Sequence, residues 1–179
     1  MSKIQETTRA GGANADQSSW DRGKSSNVSV NLTHFISFTI GDDIYGVDIM
    51  AVREIKGWSE ITHLPEQPDY VRGVLNLRGA IVPIVDLRCR FGQGVTEATA
   101  LHVMIIVQIE SQLVGLLADR VSDIVSIDPA KIKPVPKVAQ SNRVEFLSGI
   151  MAIENDLIAL IELSRLLSSP EGQTIQLNS

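Results

Sequence analysis

From Phe35 onward, the chain alternates between short apolar runs and polar turn residues. The runs are rich in isoleucine, valine and phenylalanine, and glycine, aspartate, asparagine or proline separates them, which is the pattern of strands joined by tight turns. Helical periodicity is scarce, and a single short peripheral helix is predicted at residues 163–167, before Pro170. The pattern therefore predicts an all-β fold, with strands at 35–40, 44–49, 73–78, 81–87, 102–109, 113–118, 148–153 and 157–162.

Laying the second half of the chain over the first reveals an internal duplication. Segment 40–47 matches segment 109–116, an offset of 69 residues (109 − 40), and segment 73–87 matches segment 149–163, an offset of 76 (149 − 73). Both pairs occur in the same order and their glycines align. Composition alone would make isoleucine-rich strands look alike, but aligned glycines in two ordered blocks favour a true duplication.

Each copy contains two hairpins with four or five short strands, too few for an independent core. We therefore predict two equivalent β lobes, each closed as a small barrel and packed against the other. The lobes are expected at residues 34–97 and 98–170, followed by a tail at 171–179. Residues 1–33 are rich in glycine, serine, asparagine, alanine and threonine, a composition that buries little apolar surface and predicts a flexible tail.

Composition and charge narrow the class of partner. The chain has 21 acidic and 16 basic residues, a net charge of −5, which repels nucleic acid. The lysines near residue 133 also lack the interleaved aromatic residues of a nucleic-acid platform. The longest apolar run, 103–107, is too short to span a bilayer, and no apolar run follows the basic residues at the N-terminus. A cytoplasmic protein that does not insert into membranes is predicted, and the lone Cys89 suits a reducing compartment.

Candidate catalytic chemistry is absent from the sequence pattern. His34, His63 and His102 are isolated from one another and from cysteine, so neither a catalytic set nor a metal site is predicted. Gly92-Gln93-Gly94 has no following lysine and helix to bind phosphate, and we interpret it as a linker turn. The sequence thus predicts a protein with no enzymatic activity, no metal and no cofactor.

Three local features indicate surfaces for contact. Pro83 interrupts an apolar strand, and because proline lacks an N–H, the strand is predicted at a sheet edge where a partner can dock. Arg78-Gly79 occupies a hairpin turn that projects the guanidinium, whereas the second copy is interpreted as having Asn155-Asp156 there. The three-residue spacing of Val52-Arg53-Glu54-Ile55 leaves two alternatives open, a bulged strand or a tight turn.

These motifs together closely resemble the CheW coupling proteins of bacterial chemotaxis. The resemblance runs from Phe35 to Leu167. It depends on Gly41-Asp42-Asp43-Ile44-Tyr45-Gly46-Val47-Asp48-Ile49, Val52-Arg53-Glu54-Ile55, the Asn76-Leu77-Arg78-Gly79 hairpin with the apolar strand after it, and Val121-Ser122-Asp123. It implies a single CheW-like domain at 34–170 made of two SH3-like five-stranded barrels around a hydrophobic groove.

The resemblance also implies a function and its residues. CheW proteins are non-enzymatic adaptors that link the cytoplasmic tips of methyl-accepting chemotaxis receptors to the regulatory domain of the histidine kinase CheA. Kinase contacts are expected at barrel edges, and the protein is expected at membrane-associated receptor arrays. A scaffold of a non-flagellar chemosensory pathway is the first alternative, and an SH3-like or OB-like nucleic-acid module is a weaker one. By motif match, the receptor groove would consist of Val52, Glu54, Ile55, Leu77, Arg78, Val103 and Val121.

Overall fold

A computed structural model describes residues 31–136 and 143–168 of the chain. It consists mainly of ten β-strands, with two four-residue helices, α1 (Leu87–Arg90) and α2 (Leu163–Leu166). The strands are β1 (Thr33–Ile40), β2 (Asp43–Asp48), β3 (Val52–Gly57), β4 (Val71–Leu77), β5 (Ala80–Asp86), β6 (Val103–Ile109), β7 (Gln112–Ala118), β8 (Arg120–Ile127), β9 (Leu147–Ile153) and β10 (Asp156–Ile161).

The all-β prediction is confirmed, and all eight predicted strands are present to within two residues at each end. Two further strands, β3 and β8, were not predicted as strands, because neither has a regular two-residue alternation. β3 contains the segment whose conformation the sequence left open, and it is a bulged strand. Its register shifts against β6 between Val52 and Glu54, so an extra residue produces the three-residue apolar spacing.

The ten strands form two five-stranded sheets. The first sheet has the order β8-β1-β2-β10-β9 and the second has the order β3-β6-β7-β5-β4. Each sheet therefore combines two strands from one half of the chain with three from the other. The predicted lobe boundary between residues 97 and 98 is wrong, because the chain crosses from one sheet to the other after β2 and again after β7.

The duplication explains this exchange. Replacing each strand of the first sheet by its counterpart five strands away in the chain reproduces the order of the second sheet. The parallel pairs agree in register too, since Leu160 lies opposite Gly46 and its counterpart Ile84 lies opposite Gly115. A Cβ at either glycine would collide with the side chain opposite. The aligned glycines thus admit the branched side chains of the exchanged strands.

Apolar side chains are buried in three clusters. The first and the second sheet each enclose a small cluster, represented by Met151 and Met104 respectively. A larger central cluster lies between the sheets and includes the aromatic series Phe38, Tyr45, Phe91 and Phe146. Chain segments that follow β3 and β8 cross to form isolated bridges with β4 and β9, which brings opposite edges of each sheet near each other. Full closure as SH3-like barrels stays a prediction.

One local prediction needs correction. Pro83 is not in an edge strand, because β5 lies between β7 and β4. The proline is accommodated because the ladder with β7 begins one residue later, at Ile84. Helix α2 is present at the predicted position and packs on the core through Leu166, which is fully buried in the central cluster. Arg90 donates to the Leu166 carbonyl at 3.0 Å and holds that turn against the core.

The predicted N-terminal tail, 1–33, falls outside the described residues up to residue 30, and its last residue, Thr33, begins β1. The predicted tail at 171–179 lies entirely outside them. Among the residues that are described, no helix has the length and apolar character needed to cross a membrane.

Candidate partner-binding site

The bulged edge strand β3 contributes three of the predicted receptor-groove residues. Val52 is half-buried and packs against the central cluster, whereas Ile55 is 43% exposed. Ile55 lies opposite Ile105 and Val52 lies opposite Val107, so three residue steps on β3 span two on β6. The bulge therefore changes the direction of the side chains between Val52 and Ile55, including that of Glu54.

The β4–β5 turn contributes Arg78 on a rigid base. Arg78 and Gly79 both have positive φ, 50° and 90°, as a two-residue type I′ hairpin requires. The Asn76 side chain accepts a hydrogen bond from the Gly79 N–H at 2.8 Å. From this turn, Arg78 Nη2 reaches Glu54 Oε2 at 2.5 Å, although three-quarters of the arginine side chain is exposed. The pair joins the two edges of the second sheet, and its arginine stays open to a partner.

The observed strand pairing corrects the predicted turn residues of the second copy, Asn155-Asp156. Ile153 pairs with Asp156, so the turn residues of the second copy are Glu154 and Asn155. Glu154, which also has positive φ, is the counterpart of Arg78. Asn155 is the counterpart of Gly79. The two turns thus share positive φ at their first residue, where their side chains have opposite charge.

The three predicted valines have a similar setting, although Val52 pairs with Val107, four residues along β6 from Val103. Val52, Val103 and Val121 are all half-buried, and all pack against the central cluster. Val103 lies opposite Ala118 at the end of β7, and Val121 lies opposite Phe38 on β1. Leu77 differs from them because it packs against the core of the second sheet. The predicted set therefore divides into a central valine group and a group on the second sheet: Glu54, Ile55, Leu77 and Arg78.

Exposed apolar residues that the sequence did not single out also occur in equivalent pairs. Ile55 and Ile124 correspond on the bulged strands, and both are largely exposed. Ile81 and Leu157 correspond near the two hairpin turns, at 57% and 65% exposure. The offsets of 69 and 76 residues could have found Ile124 from Ile55 and Leu157 from Ile81.

Titratable groups are dispersed in the part of the chain that the structure describes, and no three histidine, cysteine or acidic side chains there are placed to hold a metal ion. Burial raises the pKa of the half-buried Cys89 thiol, and nearby Asp86 and Asp69 raise it further. Burial also raises the pKa of Tyr45, against the opposing effect of a hydrogen bond with Arg143. Both shifts keep these groups neutral at physiological pH.

A family model described as "CheW-like domain" matches residues 34–171. The chain belongs to the CheW-like family. It is 44% identical to "Chemotaxis protein CheW" of Rhizobium meliloti over 151 residues, which cover 82% of this chain and 97% of that protein. The corresponding protein of Klebsiella aerogenes is 39% identical over 137 residues, with coverage of 76% and 82%.

A solved CheW-like structure agrees with the fold. The crystal structure of scaffolding protein TtCheW from Thermoanaerobacter tengcongensis matches with a TM-score of 0.75 and 34% sequence identity. The match covers 82% of this chain and 94% of that one. Membership of the CheW-like family places the chain among chemotaxis scaffold proteins and confirms the resemblance read from its motifs.

Proposed function

We propose that this protein is a non-enzymatic scaffold that couples methyl-accepting chemotaxis receptors to a CheA-type histidine kinase. Its membership of the CheW-like family supports the class of function. The main observation that supports coupling of receptors to the kinase is the Glu54–Arg78 pair. It is a charged group on a rigid turn, close to half-buried apolar side chains, and it occurs in only one of two equivalent turns.

The receptor would bind across the valine group and the adjoining edge of the second sheet. Val52, Val103 and Val121 retain partial exposure over a rigid core, so they can bury apolar side chains of a helical receptor tip without rearrangement. Arg78 at the margin would supply a charge-assisted hydrogen bond that sets the orientation of the helix. A surface of this kind needs no catalytic group.

Kinase contacts are proposed at the remaining exposed edges. β4, β8 and β9 are edge strands of the two sheets, and exposed Ile81, Ile124 and Leu157 lie on or next to such edges. Apolar groups beside unpaired backbone groups suit docking of another β-protein. Through the receptors, the scaffold would be recruited from the cytoplasm to membrane-associated arrays.

The sharpest test replaces Arg78 by alanine. We expect the affinity for a receptor signalling-tip fragment to fall about tenfold, because truncating an arginine that contacts the partner commonly costs about 1–2 kcal/mol. The melting temperature should change little, since the Arg78 side chain is 75% exposed and an ion pair at such a site stabilises the fold only weakly. Isothermal titration and thermal melting measure the two quantities.

Glu154→Ala is the matched control, because it truncates the equivalent turn residue of the other copy. It should leave receptor affinity unchanged. Equal receptor affinities for the wild type and Arg78→Ala, with both proteins folded, would contradict the proposed site. Failure of the wild-type protein to bind receptor and kinase fragments would contradict the proposed function itself.

A further inference from the structure

Asp119 occupies the point at which the chain crosses from the second sheet to the first. It is the single residue between β7, which ends at Ala118, and β8, which begins at Arg120. Its backbone N–H donates to the Thr39 carbonyl of β1 at 3.0 Å. Asp119 therefore already contacts the first sheet while it directly continues a strand of the second.

The Asp119 carboxylate joins three separate elements. Its Oδ2 atom accepts a hydrogen bond from the Gly41 N–H at 2.7 Å and another from Arg88 Nη2 at 2.6 Å. Oδ1 lies 3.7 Å from Nε2 of His102. Nδ1 of that histidine accepts the Thr99 N–H at 3.0 Å, which fixes the orientation of the ring. One carboxylate thus links the β1–β2 turn, helix α1 and the residue before β6.

These contacts lie next to two valines of the proposed receptor site. Val103 follows His102 directly, and Val121 is two residues after Asp119. Val103 is on the second sheet and Val121 is on the first. A change in the contacts of Asp119 would therefore alter the distance between Val103 and Val121 more than it would alter the internal structure of either sheet.

The other crossover shows that the backbone path does not require the carboxylate. Between β2 and β3, the chain crosses through the short 3-10 turn Ile49–Ala51. By the offset of 69 residues, the counterpart of Asp119 there is Met50, which is 77% exposed. The strands on either side nevertheless keep the same order and the same bulge as β7 and β8. The carboxylate is an addition to one of two equivalent crossovers.

We infer that Asp119 is a positioning residue that, through Arg88 and Gly41, holds Val103 and Val121 at the spacing that a receptor helix requires. The inference rests on the proposed receptor-coupling function and deepens it. Asp119 itself is expected to make no contact with the receptor. Its effect is preorganisation, since a surface already held in its bound form loses less entropy on binding.

Asp119→Asn tests the inference, because asparagine keeps an oxygen for the Gly41 N–H but loses the charge that holds Arg88. Receptor-fragment affinity should fall about three- to tenfold, a typical effect of residues that act through others. Affinity for a kinase regulatory-domain fragment and the melting temperature should be retained. In methyl NMR spectra of the free protein, the Val103 and Val121 resonances should shift or broaden.

Two further variants isolate the contact with Arg88. Asp128→Asn is the control, because Asp128 flanks the opposite end of β8 and likewise accepts a backbone N–H, from Ala130. It should leave receptor affinity unchanged. Arg88→Gln should weaken receptor binding like Asp119→Asn, and the double variant should be no weaker than either single one, because both remove the same contact.

The possible results distinguish a positioning role of Asp119 from a purely structural one. Wild-type receptor affinity or unchanged valine resonances in Asp119→Asn would overturn the inference and leave the proposed function standing. Parallel loss of receptor binding, kinase binding and thermal stability would also overturn it, since that is a purely structural role. A wild-type protein that binds no receptor fragment would overturn the proposed function together with the inference.

Discussion

The two bulged edge strands, β3 and β8, share one backbone form but differ in what supports it. In β8, the buried Ser37 hydroxyl donates to the Asp123 carbonyl at 2.9 Å and accepts from the Asp123 N–H at 3.1 Å. Beside β3, the residue equivalent to Ser37 is Ile106 of β6, a fully buried apolar side chain. The same bulge is therefore compatible with either a polar or an apolar neighbour, and only its register is common to both.

The side chains on these bulges differ even more than their supports. Glu54 on β3 pairs with Arg78 across the second sheet. The counterpart positions in the first sheet are Asp123 and Glu154, which are both acidic and so cannot form this ion pair. Instead, Asp123 accepts the N–H of Ile124 at 2.7 Å. Duplication thus preserved the strand framework, while one copy acquired the charged pair that we assign to receptor binding.

The largest expected difference in stability loss between equivalent substitutions concerns Asp86 and its counterpart Glu162. Asp86 is fully buried and accepts hydrogen bonds from Arg72, Cys89 and both the N–H and the hydroxyl of Thr96. Asp86→Ala should lower the free energy of unfolding by about 3–5 kcal/mol, because it leaves the largely buried Arg72 guanidinium without its carboxylate partner. Urea unfolding measures this.

Glu162 precedes α2 as Asp86 precedes α1, but its side chain does not cap the helix. Glu162→Ala should therefore cost less than about 1 kcal/mol. Equal losses for the two alanine variants would show that the buried network of the first copy contributes no special stability.

A smaller difference in stability loss is expected between alanine substitutions at Gly73 and Gly149. Gly73 has φ 142°, and a Cβ there would collide with the Thr62 carbonyl oxygen of the backbone. Gly149 lacks the positive φ, and its Cβ would mainly meet a methyl group of Ile132. Gly73→Ala should cost about 2–4 kcal/mol from backbone strain and overlap, and Gly149→Ala about 1–2 kcal/mol from overlap alone. The reverse order in chemical denaturation would refute this account of the two sites.

The smallest expected effect concerns the support of the β8 bulge. Ser37→Ala should lower the free energy of unfolding by about 1 kcal/mol, because it removes two part-buried hydrogen bonds to the Asp123 backbone. Ser126→Ala on the same strand is the control, since Ser126 is exposed and bonds His34. It should change stability by less than about 0.5 kcal/mol. If Ser37→Ala proved as stable as the control, Ser37 would not support the bulge.

Much of the fold was predictable because strand signals are local. Alternating apolar residues and turn glycines located eight strands, and the duplication predicted two equivalent units. β8 was missed, and β3 was predicted only as one of two alternatives, because an inserted residue breaks the two-residue period on which strand recognition depends. The prediction that Pro83 lies in an edge strand was wrong for a related reason. The missing N–H of Pro83 excludes one hydrogen bond, and β5 places that position just before its ladder with β7 begins.

The candidate site was predictable only in part. The motifs supplied Glu54 and Arg78, but their contact depends on how the second sheet curls. Asp119 carried no signal of its own, because its partners Gly41 and Arg88 lie 78 and 31 residues away in the chain. A contact between distant positions becomes visible only once the strands that hold them are paired.

By itself, the sequence determined the strand class, the turns and the existence of two matching copies, because these depend on near neighbours along the chain. Only the tertiary structure decided that the copies exchange strands, so that each sheet combines both halves. Similar isoleucine- and valine-rich strands fit either sheet equally well by composition. Their assignment depends on the crossovers, on register and on long-range packing, which a linear pattern does not record.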